Sequence, residues 1–211
     1  MKHYILLAPL LSGALAFAQA QPAPSPASKP VVQVGEVARY AVKLVTEGQN
    51  TEDTVTVTSV ADGQIKARYT RANRTPAETE VIYTDEWNPV LTGVGSRLEP
   101  AAQTLKFPLQ VGNAWDAKYA VQTANGAKSR VEMAGKVVGY EKVPTPAGEF
   151  DAFKVQSSGW VNGVSWNGSF KVQQTVWYAP SIGRLVRSEY KEFRRDGVDT
   201  VSELKSFSPG K

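Results

Sequence analysis

Short apolar–polar alternations, each cut off by glycine, proline, asparagine or aspartate, run through the chain from Val31 onward, and they constrain its fold more than any other feature. Val37 to Val45 carries Tyr40, Val42 and Leu44. Thr54 to Val60 alternates more cleanly, with Val55 and Val57 set against Thr54, Thr56 and Thr58. Asp62-Gly63 then separates that run from Gln64 to Thr70, where Ile65, Ala67 and Tyr69 share one face. A D-G pair between alternating runs is a strong local hairpin signal, because both turn positions need a left-handed backbone. Glu80 to Asp85 and Pro89 to Gly93 add two short runs.

The second half of the chain repeats the plan. Ala114 to Gln122, Lys128 to Val138, Phe150 to Gln156, Ser169 to Tyr178, Leu185 to Phe193 and Val198 to Phe207 read as strands. Asn125-Gly126 and Arg195-Asp196-Gly197 supply turns between them. No window keeps apolar residues at helical spacing over more than about ten positions, so long helices are not expected. The expected fold is all-β: a curved antiparallel sheet, a sandwich or a partly open barrel.

Two stretches suggest that this fold comes in two similar halves, 31–95 and 105–208. Val34-Gly35 before Tyr40-Ala41-Val42 parallels Val111-Gly112 before Tyr119-Ala120-Val121. Val81-Ile82-Tyr83 before Pro89-Val90-Leu91 parallels Val176-Trp177-Tyr178 before Arg184-Leu185-Val186. Chance similarity among β-rich segments is the alternative.

The first residues read differently. Lys2 precedes an apolar run from Ile5 to Phe17, and Ala18-Gln19-Ala20 has the form of a signal-peptidase site. Residues 1–20 are therefore expected to be a signal peptide, and 21–30 (QPAPSPASKP) a disordered, proline-rich leader with no large apolar group. A single all-β domain would occupy 31–208, in a mature chain with no transmembrane segment. The chain has no cysteine, so export would come without disulfides or lipidation, a combination that points to the periplasm of a Gram-negative cell.

Cysteine-free composition also bounds the chemistry. The single histidine is His3, inside the expected signal peptide. A processed chain would then lack the usual ligands of zinc, copper and haem, and every nucleophile–histidine pair. No metal and no cofactor is expected, and an enzyme is disfavoured. What remains is oxygen chemistry. Asp85 and Glu86 are adjacent beside Trp87, but strand neighbours point to opposite faces. Glu149 and Asp151 share a face across Phe150, at a strand start where polar groups meet water. Lys154 with Ser157-Ser158, and Lys128-Ser129, lack an S-x-x-K pattern. The formal charge is +4 with the basic residues dispersed, so no nucleic-acid footprint is visible. Asn73-Arg74-Thr75 and Asn167-Gly168-Ser169 match the N-x-[ST] pattern and read as ordinary loops.

The aromatic residues say more. Trp160, Trp166, Trp177 and Tyr178 fall within one short region among Gly159, Gly163 and Gly168. They could line an apolar ligand pocket or plug the core. The leading expectation is a non-enzymatic periplasmic protein binding a lipophilic or other small ligand. Two alternatives are a structural or interaction subunit of the envelope, pairing with another envelope protein through an edge strand, and a carboxylate-dependent hydrolase.

Three segments carry a resemblance: KFPLQVGNAW at 106–115, VPTPAGEFDAFKV at 143–155 and TVWYAPSIGRLV at 175–186. Together they resemble a broad group of exported bacterial β proteins of unknown function, over roughly residues 105 to 190. Thr145 is an insertion relative to the group's usual second segment. The resemblance implies an antiparallel β frame, and it carries no activity, ligand or catalytic residue onto these positions.

Overall fold

The computed structural model describes residues 24–210, apart from 73 and 77. Twelve strands form one closed antiparallel barrel in which each strand pairs with the next in sequence. They are β1 (Val37–Leu44), β2 (Gln49–Ala61), β3 (Gln64–Arg71), β4 (Glu78–Thr84), β5 (Pro89–Leu91), β6 (Arg97–Glu99), β7 (Ala114–Gln122), β8 (Lys128–Thr145), β9 (Gly148–Gly163), β10 (Ser169–Ala179), β11 (Arg184–Phe193) and β12 (Asp199–Ser208). The ring closes where β1 sits between β2 and β12. The sandwich and the partly open barrel are thereby corrected: pairing β1 with β12 satisfies the last free ladder of backbone groups, which an open sheet would leave exposed.

Turn chemistry follows the sequence closely. Asp62 and Gly63 both adopt positive φ (52° and 71°), as a tight two-residue turn demands. The strands β8 and β9 run further than their alternation suggests. Their close approach at Gly159 explains part of this, because a Cβ there would lie 1.9 Å from the carbonyl oxygen of Glu132.

The two V-G segments dock alike. The Gly35 N–H donates to Val57 O, and the Val57 N–H to Glu36 O; the Gly112 N–H donates to Val137 O, and the Val137 N–H to Asn113 O, all at 2.9 Å. Register then shifts just after Val57 in β2 and just after Val137 in β8. Comparable shifts fall between Ile82 and Tyr83 against β5, and between Trp177 and Tyr178 against β11.

Part of the segment expected to be an unpacked leader is tied to the barrel. Ala27 is buried and exchanges two backbone hydrogen bonds of 2.9 Å with Leu109. Its small side chain and free N–H, in a run otherwise rich in proline, make this one pairing feasible. Lys29 reaches Asp85 at 2.6 Å. The expected signal peptide lies outside the described residues.

Along β7 and the first half of β8 the wall is apolar inside and charged outside. Trp115, Ala117, Val131 and Val137 are buried, whereas Asp116, Lys118, Arg130, Glu132 and Lys136 are exposed on the opposite faces of β7 and β8. A barrel that spans a membrane has the reverse polarity, with an apolar belt outside. Among the described residues no helix is long and apolar enough to cross a membrane.

Candidate functional site

The inward side chains divide the lumen into a filled end and a hollow end. On β10 the inward file reads Phe170, Val172, Gln174, Val176, Tyr178. Val176 and Tyr178 join Phe153, Val155, Val137, Trp115 and Ile65 in a packed cluster. The connection between β6 and β7 completes it by tucking Leu105 and Leu109 inside, both 0% exposed. Asn88 pins that connection: its side-chain oxygen accepts from Leu105 N–H (2.8 Å) and its amide donates to Leu105 O (2.9 Å). Trp115 Nε1 donates to Gln103 O at 2.9 Å. The indole of Trp115 lies over Gly135, where a Cβ would come within 2.7 Å of the ring.

Beyond Gln174 the same strands enclose space. A cavity of about 940 Å³ is walled by Val121 on β7, Val131 and Met133 on β8, Val161 on β9 and Phe170 and Val172 on β10. Ala102 and Thr104, from the tucked connection, line its inner end. Its mouth is formed by the turns carrying Val94, Ala124, Asn125, Trp166, Arg194 and Val198. This volume lies within the range of small-molecule sites, and the lining is largely aliphatic and aromatic.

Polar groups occupy two levels of this chamber. Tyr119, Gln174 and Thr104 lie at its floor, where a small adjoining pocket brings in Ser157. Burial alone pushes the Tyr119 phenol up to about 12, so it stays a neutral donor at physiological pH. The second level, on β11 and the turn after it, holds Tyr190, Glu192 and Arg194. Arg194 contacts the Glu192 carboxylate at 2.6 and 2.7 Å, and Tyr190 Oη donates to its other oxygen at 3.2 Å. The Arg194 guanidinium also covers the Phe170 ring, 4.2 Å from its centre. Tyr190 is raised by burial and then by Glu192.

The structure does not bring the four sequence-predicted aromatic residues together. Trp166 lines the chamber mouth, with its indole N–H donating to Ser129 Oγ (3.1 Å) and its ring stacked 6.0 Å from Phe170. Trp160 points the other way from Val161 and is 52% exposed. Tyr178 is packed in the filled end against Phe107. Trp177, its strand neighbour, belongs to a separate cluster with Val143, Ala152, Val186 and Leu204. There its indole N–H donates to Glu141 at 2.7 Å, holding that carboxylate below its usual range with help from Lys154. Neighbours on a strand face opposite ways, and proximity in sequence cannot gather them.

A second, smaller space of about 200 Å³ lies among Tyr40, Asp53, Tyr69, Tyr83, Trp87 and Arg184. Its charges are closed within the protein. Asp53 takes Arg71 at 2.7 Å and the Tyr69 hydroxyl at 2.8 Å. Arg184 pairs with Glu36 at 2.8 Å, both nearly fully buried, and stacks 3.9 Å from the Trp87 ring centre.

The carboxylates considered for catalysis do not face one another across a cleft. Asp85 is taken by Lys29, and Glu149 and Asp151 both approach Lys142 at the surface. Lys154 lies over the Trp177 ring, whereas Ser157 is buried at the chamber floor, so the two form no dyad. Among the described residues no group of three or more His, Cys, Asp or Glu could hold a metal ion.

The DUF3108-like family model matches residues 98–197 of this chain. No curated protein matches it. Among solved structures, an exported protein with a YmcC-like fold from Bacteroides fragilis shares 17% identity, with a TM-score of 0.58 over 87% of this chain and 99% of that one. A lipoprotein from Parabacteroides distasonis shares 14% identity, with a TM-score of 0.54 over 88% of this chain and all of the other. These two likenesses establish a common fold.

Proposed function

We propose that this is an exported, non-enzymatic protein that holds an apolar small molecule in the hollow end of its barrel. One observation carries the reading: a cavity of about 940 Å³ with an aliphatic and aromatic wall, open between turns, inside a barrel whose other end is tightly packed. A fold that only needed stability would close both ends, since empty apolar space forfeits contact energy. Export is supported by the leader sequence and by the similar fold of a protein described as exported. The periplasm is the compartment we assign, with cleavage after Ala20.

The other two readings have less behind them. Ring closure covers the edge strands that an envelope partner would extend. A hydrolase using two carboxylates would need a second acid facing Glu192 in the chamber, and among the described residues Glu192 is the one carboxylate lining it. We also propose that the two halves, 31–95 and 105–208, derive from one duplicated unit, on the strength of their shared V-G docking and bulges.

Native mass spectrometry of the processed protein, purified without delipidation, tests the binding role. The expected result is one small-molecule adduct per chain, at reduced occupancy in Val161→Phe, whose ring intrudes into the chamber. An adduct retained at the same occupancy in a folded Val161→Phe variant would place the ligand elsewhere and overturn the reading.

A further inference from the structure

The chamber's two charged side chains already neutralise each other, and the polar groups left facing its floor are uncharged. Among the described residues, Glu192 and Arg194 are the charged ones in the lining. The Glu192 carboxylate, 11% exposed, is held by Arg194 on one side, by the Tyr190 hydroxyl on the other, and by Val198 N–H at 3.3 Å. Arg194 in turn is flattened against Phe170. Among the described lining residues, no cation lacks a carboxylate partner to balance its charge. Deeper in, Tyr119, Gln174 and Thr104 present a phenol, an amide and a hydroxyl. These suit a hydroxyl, ester or amide, which need donors and acceptors but no counter-charge.

Resting on the reading that the chamber holds an apolar molecule, we infer that it selects an uncharged amphiphile over a carboxylate of the same chain length: a long-chain alcohol, ester or amide, its polar group at the floor. A carboxylate moved into this lumen loses its water, finds no cation lacking a carboxylate partner, and meets the like charge of Glu192. The apolar chain would lie along Val131, Val161 and Val172 toward the mouth.

Calorimetric titration of the processed, delipidated protein with dodecan-1-ol and with dodecanoate tests this, at a pH where the acid is fully ionised and below aggregation of either probe. The alcohol is expected to bind at least about tenfold more tightly, the cost of stranding one charge without a partner. Equal or tighter binding of dodecanoate would overturn the selectivity while leaving the chamber reading intact. Binding of neither probe would overturn both. Glu192→Gln sharpens the cause, because it frees Arg194 for an incoming anion. In that variant dodecanoate should gain about tenfold or more, with the alcohol nearly unchanged. A folded Glu192→Gln protein with no gain would show that the Glu192–Arg194 pair does not set the preference. The wild-type comparison stands on its own if that variant does not fold.

Discussion

The two ends of the barrel share strands β7 to β10 and nearly the same residue types, yet one is packed and the other hollow. Val172 and Val176 make the contrast concrete. They stand four residues apart on the same face of β10, and each is almost fully buried from bulk water. Val176 meets Phe153, Val155 and Tyr178; Val172 faces the cavity. What separates them is the connection between β6 and β7, which inserts Leu105 and Leu109 at one end only. The lesson is that the wall sets the barrel's diameter, while an inserted loop decides how much of the lumen stays open.

The largest expected effect would break the filled end. Arg184→Leu leaves the buried Glu36 carboxylate without its partner and should cost about 3–5 kcal/mol in chemical denaturation. Phe153→Ala should cost a similar amount, about 3–5 kcal/mol, because the ring is 1% exposed and tightly surrounded. A loss under about 1 kcal/mol in either would mean that the packed end contributes little to stability.

Gly148→Val and Gly183→Val come next. Both glycines have positive φ (125° and 62°), and Gly183 also lies 3.1 Å in Cβ terms from Pro30. Each should lower stability by about 1–2 kcal/mol, the cost of forcing a side chain into a left-handed backbone. Unchanged melting in both would contradict this. A paired overpacking test follows: Val155→Phe at the filled end should destabilise by about 1–3 kcal/mol, whereas Val161→Phe, on the same strand, should be tolerated. The smallest effect is the most discriminating. Val176→Ala should cost about 1 kcal/mol more than Val172→Ala, since only the first opens a new void. Equal costs would mean that the hollow end collapses onto Val172 in solution.

Much of this architecture was legible in the residues. The D-G and N-G turns and the alternating runs located eleven of the twelve strands, although β8 and β9 extend further than expected. The strand β6 was not foreseen because Leu98 is its one apolar residue, between Arg97 and Glu99. Closure was not legible either, since it depends on β1 meeting β12 across most of the chain. The chamber was legible only in part. Trp166 belonged to the aromatic cluster singled out for a pocket, but Trp160, Trp177 and Tyr178 turn elsewhere. The polar members were missed, though a signal existed: Gln174 interrupts the otherwise apolar inward file of β10. Reading it required knowing which face of the strand points inward. Alternation alone does not say whether an inward valine meets another side chain or empty space.

The seam between β1 and β12 bears on when the molecule can close. A nascent chain that has not yet delivered residues 199–208 leaves β1 and β11 each with one bare ladder of backbone groups. Such a chain can form hairpins, but it cannot shut the ring. Closure of the ring therefore waits on the last strand to be made.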